Sequence, residues 1–69
     1  MTPAEFRTWR KSLGLSQKGA AEALGVSKSS VEHYEAGVRR GTDPRPVEIP
    51  RTVALACAAV WHKIEPWAG

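Results

Sequence analysis

Sixty-nine residues, 42% of them hydrophobic and 25% charged, describe one small globular domain, because a second core would need roughly 50 further residues of its own. A chain this short buries only about 60% of the surface its unfolded form exposes, which leaves little room for a deep pocket and counts against most enzymes. Ten basic residues against seven acidic give a net charge of +3, which permits a polyanionic partner without demanding one, so the placement of charge has to decide.

Thr2-Pro3-Ala4-Glu5 predicts a helix start, with Thr2 as N-cap, Pro3 at the first helical position and Glu5 completing a capping box. The helix then runs to about Leu13. Phe6, Trp9, Arg10 and Leu13 recur at i, i+3, i+4 and i+7, which puts an arginine on the stripe that faces the core and calls for a carboxylate partner. Gly14 ends this helix. Ser16 caps a second helix that starts at Gln17-Lys18 and closes after Leu24, where Gly25 supplies a left-handed cap. Ser27 caps a third, with Val31, Tyr34 and Glu35 at i, i+3 and i+4, and Gly37 stops it. Here a glutamate lies on the apolar stripe, and it becomes the partner expected for Arg10 in a structural ion pair.

From 38 to 49 the composition changes. Arg39-Arg40-Gly41, Asp43-Pro44, Arg45-Pro46 and Ile49-Pro50 forbid a long helix and predict an irregular loop, with Val47 to Ile49 as a candidate short strand. The last helix is expected over about 50–64, opening on Pro50 and carrying Val53, Ala56, Cys57, Val60, Trp61 and Ile64 on one face. Pro66 terminates it. The longest apolar run, Val53 to Trp61, is less than half of the ~20 residues needed to cross a bilayer, and Glu5 and Arg7 stand where a signal peptide would be apolar, so a cytoplasmic protein without membrane contact is expected. The lone Cys57 and two histidines make neither an internal disulfide nor a zinc site; no metal, cofactor or small-molecule ligand is expected, and Cys57 reads as a core residue.

Two short helices joined by Gly25-Val26-Ser27-Lys28 can cross at a steep angle that exposes one face of the second. The stretch LSQKGAAEALGVSKSSVEHYEAG, Leu15 to Gly37, resembles the helix-turn-helix of the lambdoid repressor and Cro family. The resemblance rests on Leu15, Ser16, Gln17, Ala21, Leu24, Gly25, Val26, Ser27, Val31, Glu35 and Gly37, in order and without a gap, and extends more loosely to Phe6, Arg7 and Arg10. It implies an all-α, compact, four- to five-helix lambda-repressor-like domain, with the helix-turn-helix at about 16–37. Gly19 and Ala20 depart from the pattern: the family has a good helix former and a leucine there, so helix two is weaker by about 1 kcal/mol and leaves a gap that Trp9 or Trp61 is expected to fill. The same family pattern pairs Arg10 with Glu35.

With Val31 and Tyr34 turned inward, the opposite face of helix three presents Lys28, Ser29, Glu32 and His33, the candidate base contacts in a DNA major groove. Lys28 suits guanine O6 and N7, Glu32 the cytosine amino group, and Ser29 and His33 several base edges. Ser16, Gln17 and Lys18 open helix two, whose N-terminus the resemblance places against a DNA phosphate, and Arg39, Arg40 and Arg45 follow the reading helix as candidate backbone clamps.

The resemblance implies a double-stranded DNA-binding transcriptional regulator, a homodimeric repressor of its own operon of phage or mobile-element type, small regulators of anti-CRISPR operons being one such group. A homodimer on an inverted repeat is expected because one short helix reads too few base pairs to be selective, and Leu55, Ala59, Trp61 and Trp67 are the candidate interface residues. The alternative is a protein-interaction module docking through the apolar last helix. Lys28, Arg39 and Arg40 argue against it.

Overall fold

A computed structural model of the chain describes residues 1–39, 41 and 43–68. Its elements in order are α1 (Pro3–Ser12), α2 (Gln17–Leu24), α3 (Lys28–Ala36), strand β1 (Val38–Arg39), strand β2 (Arg45–Pro46) and α4 (Arg51–Trp61). The domain is therefore mostly helical, with four helices among the described residues.

Local chemistry sets the helix boundaries. Thr2 Oγ1 accepts from the Glu5 N–H at 3.1 Å while Glu5 Oε1 accepts from the Thr2 N–H at 2.7 Å, a complete capping box. Ser16 and Ser27 cap α2 and α3 by accepting from the N–H groups of Gly19 at 3.0 Å and Ser30 at 3.1 Å. Gly25 and Gly37 take φ of +72° and +74° at the ends of these helices, the left-handed conformation that a residue without Cβ adopts most easily.

The core consists of Phe6, Trp9, Ala20, Ala21, Val31, Val53 and Cys57, all buried. Phe6 stacks at a tilt on Trp9 with centroids 5.3 Å apart and meets Tyr34 edge-on at 5.7 Å, geometries that aromatic quadrupoles favour. The Trp9 indole N–H donates to the Cys57 carbonyl at 2.9 Å, so the largest core residue also pins α1 to α4. Burial pushes the Cys57 thiol up to about 11.

Several expectations are corrected. The 38–49 loop is not irregular throughout: β1 and β2 pair antiparallel, Val38 opposite Pro46 and Arg39 opposite Arg45. The strand expected at Val47–Ile49 is absent; the residues that pair are 45 and 46, which lie against 39 and 38. The Val47 N–H donates to the Gly37 carbonyl at 3.0 Å and closes the base of this hairpin. Pro46 sits where no second neighbour needs its missing N–H.

Helix α4 starts one residue later than expected and ends sooner. Pro50 is its N-cap in an extended conformation (ψ 148°), and the helix stops at Trp61, well before Pro66. Lys63 takes φ +57°, the Ile64 N–H donates to the Ala59 carbonyl at 2.8 Å and the Lys63 N–H to the Val60 carbonyl at 3.1 Å, which together form a Schellman stop on a residue that is not glycine. Ile64 thus lies beyond the helix and is exposed rather than part of its apolar face. Trp61 is half exposed and does not fill the gap beside Ala20; Trp9 is the indole that shares the core with Ala20.

Candidate nucleic-acid interface

Helix α3 is held by its inner face. Val31 is fully buried and Glu35 nearly so, and the Glu35 carboxylate is gripped by Arg10, whose Nε donates to Oε2 at 2.6 Å and Nη2 to Oε1 at 2.9 Å. A third Arg10 nitrogen, Nη1, donates to the Leu15 carbonyl at 3.0 Å in the turn that leads into α2. One guanidinium therefore ties together α1, the start of α2 and the end of α3. The pair expected from periodicity is present as a bidentate fork.

A second arginine joins this site, which the sequence reading did not assign to it. Arg7 Nη2 donates to the Glu35 carbonyl at 3.1 Å, and its Nε lies 3.6 Å from Glu35 Oε1. The usable signal was the i, i+3 spacing of Arg7 and Arg10, which puts both on one flank of α1. Burial raises the pKa of the Glu35 carboxyl, but the Arg10 hydrogen bonds and charge, the Arg7 charge and the Gln17 amide outweigh it and hold the carboxyl below its ordinary value. The same hydrogen bond raises the Arg10 guanidinium further.

The outward face of α3 carries the expected residues. Lys28, Ser29 and Glu32 are exposed and His33 is half-buried. Lys28 Nζ and Glu32 Oε1 lie 4.0 Å apart, one helical turn from each other. An exposed pair of this kind is worth only about 0.3–0.5 kcal/mol, so either partner is readily drawn to another ligand. His33 and Glu32 reach a cleft of about 400 Å³ that Arg7, Gln17, Ala36 and Val38 also line.

The side chain of Gln17, the first residue of α2, is half-buried and lines the same cleft as Glu35. What remains toward solvent is the helix start itself, because the first-turn N–H groups of Gln17 and Lys18 have no partner within the helix. Ser16 is exposed, but its hydroxyl is engaged as the cap. Lys18 is exposed.

The hairpin places Arg39 and Arg45 directly opposite each other, both exposed. Asp43 Oδ2 accepts from Arg45 Nη2 at 2.9 Å and Nε at 3.1 Å, which relieves the repulsion between two like charges in register. Arg40 lies outside the described residues. Leu55, Trp61 and Trp67 are exposed and Ala59 is half-buried. No group of three or more His, Cys, Asp or Glu side chains among the described residues is placed to hold a metal ion, and no described helix is long and apolar enough to cross a membrane.

Comparison with curated proteins and comparison with solved structures each return no match. A protein-family model described as a helix-turn-helix domain matches residues 4–60, a span that takes in nearly all of α1, the whole of α2 and α3, the hairpin and nearly all of α4. That span joins the capped α2–α3 pair, its internal arginine–glutamate fork and the polar outer face of α3 in one unit, and the chain belongs to the helix-turn-helix domain family, a family of DNA-binding domains.

Proposed function

We propose that the protein is a sequence-specific transcriptional regulator that reads double-stranded DNA with α3. It acts in the cytoplasm as a homodimeric repressor of its own operon, of phage or mobile-element type, an anti-CRISPR operon being one such setting. The observation that carries this reading is the division of α3 into two faces. Val31 and Glu35 are locked into the domain, while Lys28, Ser29, Glu32 and His33 are offered outward with donors and acceptors of the kinds that major-groove base edges match.

The flanks of that face suit the phosphate backbone. The start of α2 with Lys18 precedes α3 in the chain and the hairpin with Arg39 and Arg45 follows it, and these are the proposed phosphate contacts. Arg40, beside Arg39 in sequence, belongs to the same proposed set. A dimer is part of the reading because a helix of nine residues contacts only four or five base pairs, whereas about 10⁶ or more competing genomic sites demand a longer word. Half-sites one helical turn apart on an inverted repeat supply it.

Footprinting of the purified protein on the DNA upstream of its own gene tests the proposal. A protected inverted repeat overlapping the promoter, with transcription falling as protein is added, is the expected result. Uniform protection at all sequences, or none, would overturn the reading.

A further inference from the structure

Two arginines meet one carboxylate beneath α3. Arg10 already holds both oxygens of Glu35, at 2.6 and 2.9 Å. Arg7 brings a second guanidinium, its Nε 3.6 Å from the same carboxylate. Two cations thus face one anion, and the surplus positive charge falls on the outer of the two, since the Arg7 side chain is 49% exposed against 14% for Arg10. A guanidinium has five N–H donors, and the bond from Arg7 Nη2 to the Glu35 carbonyl uses one of them.

That surplus borders the proposed reading face. Arg7 lines a cleft of about 400 Å³ together with Gln17 at the start of α2 and with Glu32 and His33, two of the residues assigned to base reading. The carboxylates of the cleft do not cancel it: Glu35 is taken by Arg10, and Glu32 lies 4.0 Å from Lys28 Nζ at an exposed position. The Glu35 carbonyl that accepts from Arg7 belongs to the last turn of α3, where carbonyls have no partner within the helix. Arg7 is therefore tied to the end of α3 while it stands at the edge of the cleft. A planar fork of donors in such a place suits the oxygens of a phosphodiester.

We propose that Arg7 is a DNA-backbone contact, its guanidinium held against the end of α3 by Glu35 and donating to a phosphate beside the bases that α3 reads. The inference rests on the DNA reading of the proposed function and adds to it a residue of α1. Because one guanidinium would hold both the helix and the phosphate, the contact fixes the register of α3 on the duplex.

The dependence of affinity on salt separates this role from a structural one. The full chain is titrated onto random-sequence duplexes of about 20 base pairs between about 50 and 300 mM NaCl, as wild type, Arg7→Gln, Arg7→Lys and Lys63→Met. Arg7→Gln removes the charge but keeps an amide donor for the Glu35 carbonyl, so its helical circular dichroism should match wild type. Its affinity should fall and its slope of log affinity on log salt should flatten by about one unit. Arg7→Lys keeps the charge and should keep the slope. Lys63→Met removes the same charge at an exposed residue beyond α4 and should leave the slope as it is in wild type. A wild-type slope in Arg7→Gln, or the same flattening in Lys63→Met, would overturn the proposal. Equal binding of every sequence, with the slope change present only in Arg7→Gln, would count against the sequence-specific regulator alone. A wild-type chain that binds no duplex even at the lowest salt would overturn both.

Discussion

Arg10 uses all three of its guanidinium nitrogens, two on the Glu35 carboxylate and one on the Leu15 carbonyl, and its side chain is only 14% exposed against 49% for Arg7. Removing one partner of a buried pair strands the other in a poor dielectric at a cost of about 3–5 kcal/mol, whereas an exposed ion pair is worth at most about 1 kcal/mol. Arg10→Met is therefore expected to lose several times more stability than Arg7→Met in urea unfolding, and equal losses would refute the distinction. Acid should expose the same site. The folded-state pKa of Glu35 is depressed, so its contribution is present above the unfolded value of about 4.3 and is lost as pH falls through the lower folded value. Wild-type protein should lose stability more steeply than Glu35→Gln as pH falls below about 4. Cys57, 1% exposed with its thiol pushed up to about 11, should not react with a thiol reagent in the native protein at neutral pH and should titrate fully in urea. At this scale the Arg10–Glu35 pair was legible because each residue broke an apolar stripe. The Arg7 contact was hidden, since an arginine on an exposed flank looks like any solvated charge.

The elements were legible where chemistry marks them. Thr2, Ser16, Ser27, Gly25 and Gly37 each cap the helix end that the sequence assigns to them. The hairpin was not legible, because two-residue strands are too short to show alternation and prolines mask the rest. The end of α4 was hidden too, since nothing about a lysine announces a left-handed conformation. Two predictions belong here. A Cβ at Gly25 would meet nothing within 4 Å, so Gly25→Ala isolates the conformational cost of a left-handed cap, about 1–2 kcal/mol, measurable as a lowered melting temperature. Arg39→Ala should weaken binding to all DNA sequences alike and flatten the dependence of log affinity on log salt by about one unit. A change of preferred sequence would instead move Arg39 into the base-reading set.

For the molecule as a whole, α1 holds α3 through Arg10 on Glu35 and Phe6 on Tyr34, and the distribution of charge rather than its total marks the proposed DNA face. The net charge of +3 alone would not have found it. The surface left apolar at the end of α4 was also visible in the sequence as an excess of Leu, Ala and Trp beyond what a small core can cover. Its geometry was not, since the Lys63 turn decides where Trp67 goes. Selection from a library of random duplexes tests whether α3 reads bases. Wild-type protein should enrich an inverted repeat of short half-sites about one helical turn apart, and Ser29→Ala and His33→Ala should each change the enriched base at particular positions. Enrichment of no common word, or of the same word by all three proteins, would mean that α3 does not read bases through these residues.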